Sequence, residues 1–431
     1  MKRLLSLALC AAITLSGCSS VEAGAPSSSS SASQTPTQAP TQDLTGDVTP
    51  TDIVEETQEP VHVESMGTLK RASTILSMIE DSEQNTLFSP LSLEMALGLL
   101  SEGAVGATRE QLTRFLGYES YNVVARVILN RAEDATFESE MYEGYNTVMS
   151  LANSLWLDNK YTLKDDYFAI AQESYDATSE TLDFKNGANA AGRINDWCSE
   201  KTRGLINELV APETFTAEMA LILCNSLYFE SAWRESWKTR EGTFTDSLGE
   251  THQLNDMLYS TEDIYYSTEG AVAFGKKYMS GMTFIGILPN EGVSIGDINL
   301  EWLLASESRD YDVECSMPKL NYDTTCSQLV PILQSLGVSN IFDKENGELS
   351  GIVNESEDLY VSDIIQKCKI ELDENGTKAA AVTGIMISDN AAFVPVQREI
   401  KEVHLDRPFY YMIMDEVTGT VLFIGSVNTV E

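Results

Sequence analysis

Glu374-Asn375-Gly376-Thr377-Lys378-Ala379-Ala380-Ala381-Val382-Thr383 is the stretch that decides the fold of this chain. It follows a strand-like run, residues 364–372, and precedes a segment, 384–401, with neither a helical nor a strand period. Side chains on a strand alternate between faces. If this stretch became a strand, Thr377, Ala379, Ala381 and Thr383 would share one face, and Lys378, Ala380 and Val382 the other. All four residues of the first set are small, which suits a tight interior where overpacking costs about 1–3 kcal/mol per misfit. Lys378 falls on the opposite face, where its charge stays solvated. Gly376 supplies a pivot. The alanines equally suit the start of a helix, since Ala has the highest helix propensity. A loop that is partly helical before it becomes a strand satisfies both readings.

Outward from this stretch, the chain beyond about residue 66 reads as mixed α and β. Residues 66–83 carry Leu69, Ala72, Ile75, Leu76 and Ile79 at helical spacing. Residues 85–92 mark a short strand and then a helix start, with Pro90 in the first turn where its missing N–H does no harm. The next helix, 93–100, is almost wholly apolar and is expected to be buried. A further helix starts around 108–112 beyond Gly103, and another spans 192–201. Residues 148–157, 219–229, 283–288 and 421–427 read as strands.

Several of these segments resemble the serpin family, in the family's order. Asn85-Thr86-Leu87-Phe88-Ser89-Pro90-Leu91-Ser92 is similar to its buried strand and second helix start, and residues 99–108 to the segment leading into the third helix. Leu223-Cys224-Asn225-Ser226-Leu227-Tyr228-Phe229, with Trp233 and Trp237 beyond it, resembles the family's central strand. Met317-Pro318-Lys319-Leu320, Leu349-Ser350-Gly351-Ile352, Asp406-Arg407-Pro408-Phe409 and the last strand complete the pattern. The opening stretch then resembles the proximal hinge of the reactive loop, with Glu374, Gly376, Thr377, Ala379, Ala380, Ala381 and Thr383 as hinge residues.

The resemblance implies an α+β fold of three β-sheets and about eight or nine helices, with an exposed reactive-centre loop around residues 377–401. It implies an inhibitor rather than an enzyme. A serine protease would attack the loop, form a covalent complex, and be trapped as the loop inserts into the central sheet. Ser89, Ser92 and Asn225 would lie in the shutter, beneath the place where the sheet opens, and the position usually held by a histidine there is Gln366. Glutamine can donate and accept a hydrogen bond but cannot ionise, so a pH response at this point is not expected. Counting along the loop in the family's manner from Glu374 places the reactive bond at Asn390–Ala391, with Asp389 to Val394 all open. No Lys or Arg occurs between Ala379 and Gln397, so an elastase-like or chymotrypsin-like target is expected. The alternatives are a non-inhibitory serpin acting as a binding protein, and an inhibitor of a cysteine protease. A monomer is expected.

The N-terminus reads as a processing signal. Lys2 and Arg3 precede an apolar run, 4–15, too short for a permanent membrane span. Leu15-Ser16-Gly17-Cys18 resembles a bacterial lipobox, which implies that residues 1–18 are a lipoprotein signal peptide with its lipidated Cys18, the Cys becoming the new N-terminus and carrying the lipid. The competing reading is an ordinary secretory signal. Residues 19–65 are rich in Ser, Thr and Pro and hold eight acids without a Lys or Arg, the composition of a disordered acidic linker. Residues 66–431 would be the folded domain. The protein is expected to be exported and anchored by its lipid to the outer face of the bacterial cell membrane, or shed to the extracellular space, the lipid being its only membrane contact.

Other chemistries find little support. A formal charge of −38 argues against nucleic acid as a partner. Of three histidines, His62, His252 and His404, the first lies in the linker, and no GxSxG or HExxH occurs. Residues 270–277 nearly match a phosphate-binding loop but lack the Ser or Thr that would hold magnesium, and lie between strand-like runs. No CxxC or zinc spacing occurs, so no cofactor or metal is expected. Cys198, Cys224, Cys315, Cys326 and Cys368 read as buried free thiols. Trp156, Trp197, Trp233, Trp237 and Trp302 read as core and helix packing.

Overall fold

Residue pattern and backbone pairing together divide the strands into three sheets. The computed structural model describes residues 67–137, 147–326, 328–355, 359–377 and 398–430. Cys18, the linker, residues 378–383, Asn390 and Ala391 lie outside the described residues. The central sheet runs in the order β11 (Leu320–Cys326), β12 (Val361–Leu372), β13 (Gly376–Thr377), β4 (Leu221–Ala232), β2 (Thr147–Asp158) and β3 (Ala177–Leu182). A second sheet runs β1 (Thr86–Phe88), β16 (Val421–Val427), β15 (Phe409–Asp415), β9 (Met282–Pro289), β8 (Ala271–Lys277), β7 (Ile264–Ser267). The third runs β14 (Glu399–His404), β10 (Tyr311–Met317), β6 (Thr251–Glu262), β5 (Lys238–Thr245).

Eight α-helices occur among the described residues: α1 (Thr68–Ile79), α2 (Pro90–Gly103), α3 (Gly106–Leu116), α4 (Asn122–Ala135), α5 (Asp165–Tyr175), α6 (Gly187–Lys201), α7 (Leu300–Ala305) and α8 (Leu329–Ser335). Ser89 caps α2 by accepting from the Ser92 N–H, and Pro90 opens its first turn. That helix is buried on all sides, as its unbroken apolar run requires. Gly98 lets it approach Tyr121 so closely that a Cβ would lie 2.4 Å from the ring. α6 begins five residues before the expected position 192, because the Asn186 side chain accepts from the Asn189 N–H and fixes the first turn there.

The sheet faces follow from alternation. On β4, Leu223, Leu227 and Phe229 join the main core, while Ile222 and Cys224 join a smaller cluster under α6. There Trp156 of β2 meets Trp197 of α6 edge to face, with ring centroids 5.9 Å apart. Trp302 departs from the core reading: it is 73% exposed on the six-residue α7. The phosphate-loop-like segment is strand β8, and its Lys276 is buried in an ion pair with Glu262. No helix of the described residues is long and apolar enough to cross a membrane.

The ends of the expected loop are already strand. Thr377 is buried in β13, and Lys401 lies within β14, which pairs in parallel with β10. The loop expected at 377–401 is therefore shorter at both ends, because strand pairing claims its flanks.

Candidate functional site

The candidate site is the seam between β4 and β12. In its lower part the two strands pair directly and in parallel, from Val361↔Leu221 to Gln366↔Asn225. In its upper part they part, and the two residues of β13 stand between them, antiparallel to both: Thr377 faces Ser231 on β4 and Leu372 on β12. The same offset in numbering relates Gln366 to Asn225 and Leu372 to Ser231. The strands have separated without slipping in register.

A tight turn delivers β13 into this gap. Asp373 Oδ1 accepts from the N–H groups of Asn375 (2.7 Å) and Gly376 (3.2 Å), and the Asp373 N–H donates to the Gly376 carbonyl at 2.9 Å. The Asn375 and Glu374 carbonyls accept from the Trp233 and Trp237 N–H groups, each at 2.9 Å, and the Trp233 indole N–H donates to the Asp373 carbonyl at 2.9 Å. Lys319 Nζ holds Glu374 at 2.7 Å and Asp256 at 3.0 Å. The hydrogen bond from Lys319 keeps the Glu374 carboxyl below its ordinary pKa. Thr377 points inward and shares a 2.6 Å hydrogen bond with the hydroxyl of Tyr278. The Tyr278 ring stacks on Trp233 with centroids 4.0 Å apart and meets Phe229 edge to face. Burial pushes the Tyr278 phenol well above its ordinary pKa, so it stays a neutral donor and acceptor.

The lower part is held by buried side chains behind the sheet. Gln366 makes a two-point bond with the Ser89 backbone: its Oε1 accepts from the Ser89 N–H and its Nε2 donates to the Ser89 carbonyl, both at 2.9 Å. The Ser89 hydroxyl donates to the Leu422 carbonyl at 2.7 Å and lies 3.0 Å from Ser92 Oγ. Ser89, Ser92 and Gln366 thus form one network tying β12 to α2 and β16. Asn225 is the register neighbour of Gln366 but is not hydrogen-bonded to these three. Its Nδ2 donates to Asn153 Oδ1 at 2.7 Å, and Asn153 Nδ2 donates to the Tyr175 carbonyl at 3.0 Å. Asn225 Oδ1 is buried with no hydrogen-bond partner.

Among the described residues no reactive thiol faces the seam. The five described cysteines are free and buried. Burial pushes the Cys198 and Cys326 thiols up to about 12 and raises Cys224, Cys315 and Cys368 well above the ordinary thiol range. Asp246, Glu250 and His252 bring possible metal ligands within 4.8 Å of one another on the β5–β6 hairpin. Asp246 is already occupied there by His252 at 2.8 Å and by the Leu248 and Glu250 N–H groups.

The sequence matches the model of the family described as serpin (serine protease inhibitor) over residues 70–430. The chain belongs to the serpin family. Human neuroserpin is 28% identical over 375 residues, covering 80% of this chain and 86% of that protein. A serpin-like protein of Thermococcus kodakarensis is 29% identical over 400 residues, 88% of each chain. Among solved structures, the thermophilic serpin tengpin in its native state is 27% identical with a TM-score of 0.70, covering 84% of this chain and 93% of that one. Serpin48 of Tenebrio molitor, described as highly specific, is 28% identical with a TM-score of 0.72 and coverage of 84% and 96%. Thyroxine-binding globulin in complex with thyroxine shares the fold at 20% identity, with a TM-score of 0.68.

This serpin brings Glu374, Gly376 and Thr377 into the upper seam, and Ser89, Ser92 and Gln366 into the lower one, with Asn225 one strand across. Sequence reasoning missed Tyr278, Asn153, Asp373 and the Lys319–Glu374 pair. Met317-Pro318-Lys319-Leu320 is one of the family-like segments, but nothing in it names Glu374 as a partner. Tyr278 carried no local signal at all.

Proposed function

We propose that this serpin is an irreversible inhibitor of serine proteases that acts by loop cleavage and insertion into the central sheet. The single observation that supports this reading most is β13: the first hinge residues already occupy the gap, with Thr377 buried and facing inward. The fold alone does not decide the matter, since thyroxine-binding globulin shares it.

Continuing the observed pairing gives the inserted register. Ala379 and Ala381 would face Phe229 and Leu227 of β4, and side chains this small are the least costly to add beside buried neighbours. Thr383 would arrive between Asn225 and Gln366, and its hydroxyl could donate to the orphaned Asn225 Oδ1. The last rungs, Leu221 and Val361, would face Ile387 and Ser388. Cleavage at Asn390–Ala391, or anywhere to Val394, leaves enough chain to fill the strand.

In this mechanism the protease serine attacks the loop carbonyl and forms an acyl-enzyme. Insertion of the freed segment, at roughly 3.3 Å per residue, then carries the protease on the order of 40 Å. Distortion costs the enzyme its oxyanion hole, worth about 2.7–4 kcal/mol per donor lost, and deacylation stalls. The uncleaved state is a kinetic trap above the inserted one. Small and aliphatic residues at 387–394 favour an elastase-like or chymotrypsin-like target. The proposal extends to a lipid on Cys18 that tethers the exported domain to the cell surface. Cys18→Ala is expected to abolish metabolic lipid labelling, and unchanged labelling would refute the tether.

Incubation with a panel of serine proteases, followed by denaturing electrophoresis, tests the inhibitory reading. A covalent complex resistant to heat and detergent is expected, fastest with an elastase-like or chymotrypsin-like enzyme. Clean loop cleavage with no complex at any protease would overturn it.

A further inference from the structure

We infer that Tyr278 is a positioning residue that latches the hinge in the sheet before any protease arrives, setting how the protein divides between trapping a protease and being consumed by it. The inference rests on the inhibitory reading.

The latch is built from two elements. Residues 278–281 form the hairpin between β8 and β9 and clasp the end of β4: the Met279 N–H donates to the Ala232 carbonyl at 3.0 Å, and the Arg234 N–H to the Lys277 carbonyl at 2.9 Å. From this hairpin the Tyr278 ring is wedged between Phe229 and Trp233, which leaves its hydroxyl one direction to point. It meets Thr377 Oγ1 at 2.6 Å, and Thr377 is 4% exposed. Arg131 of α4 steadies the far side of the hairpin, donating to the Ser280 carbonyl at 3.0 Å.

A latched hinge has two opposed consequences. It withdraws residues from the loop, leaving the loop less slack to fit a protease cleft, which slows association. It also supplies a started strand, so insertion after acylation extends existing pairing instead of nucleating it, and outruns deacylation more often. Loss of the latch is therefore expected to raise the association rate and also to raise the number of inhibitor molecules consumed per protease trapped. Loss of a contact that only added stability would lower the melting temperature and leave both kinetic quantities unmoved.

The test compares full-length wild type with Tyr278→Phe, Thr377→Val, the double variant, and Thr377→Ser. Phe keeps the stacking and Val the shape, so each removes one hydroxyl of the bond. Each single variant is expected to raise both quantities about 2–10-fold, the range of one net hydrogen bond. The double variant should go no further, and Thr377→Ser should restore wild-type values. Amide hydrogen exchange supplies a readout independent of inhibition: the Thr377 N–H should be protected in wild type and lose protection in Tyr278→Phe. Unchanged protection there would overturn the latch, as would kinetic quantities that stay put or move in one direction with stability. If wild type forms no complex with any protease, the inhibitory reading fails and the exchange data alone decide the latch.

Discussion

The upper and lower halves of the seam between β4 and β12 share one register from Asp363 upward and hold opposite states. The upper half is open, and β13 fills it within a shell of aromatic rings, a tight turn and the Lys319–Glu374 pair. The lower half is closed by five paired positions and by the Gln366–Ser89 bonds behind it. From Asp363 upward nothing has to slide for the lower half to become like the upper, because that offset is already shared; only at the bulge between Val361 and Asp363 does the register shift by one. The difference teaches where the proposed insertion would have work left to do: at Gln366 and Asn225 direct pairing would have to be exchanged for pairing with an incoming strand. Thr383 is the residue that would arrive there.

The comparison can be broken most completely at the hinge. Thr377→Arg places a charge where the native side chain is 4% exposed, against a neutral phenol that cannot pair with it. Loss of all covalent complex is expected while the loop remains cleavable, as read by electrophoresis with the fastest target. A smaller effect is expected in the lower half. Gln366→Ala leaves the buried Ser89 N–H without its partner and removes a bond to its carbonyl, costing about 1–3 kcal/mol. The uncleaved protein should show a lower melting temperature and faster spontaneous loop insertion on warming.

The smallest effect belongs to the rim of the upper half. Glu374 has its pKa depressed by Lys319, so its contribution is present above the unfolded value, about 4.3, and is lost as pH falls through the lower folded value. Both partners are about a third exposed, so Lys319→Met should cost under about 1 kcal/mol. That variant should also lose the part of the acid destabilisation that wild type owes to this pair, which urea melts at neutral and acid pH would read out.

These expectations also mark what the sequence made legible. Alternation assigned Thr377 to an inward face, and the Ser-Pro pair placed the start of α2, because both are consequences of local geometry. Ser89, Ser92, Asn225 and Gln366 could be grouped only through a resemblance, and the resemblance did not say that the Asn225 amide bonds Asn153 on the adjoining strand β2 while Gln366 bonds the Ser89 backbone. Tyr278 lies 99 positions from Thr377. No periodicity spans such a distance, and an aromatic residue after two lysines reads as an ordinary strand end. Trp302 erred in the other direction, since a helix of six residues has too little buried face to cover an indole.

The central claim is that the closed lower half accepts the loop as a strand once the loop is cut. Thermal unfolding of intact protein against protein cleaved cleanly within residues 384–394 tests it most directly. A filled seam adds a full strand with pairing on both sides. The cleaved form is predicted to melt far above the intact one, well beyond the few degrees that a change of about 1 kcal/mol produces in a domain of this size. A cleaved form that melts at the same temperature as the intact protein, or below it, would contradict the account.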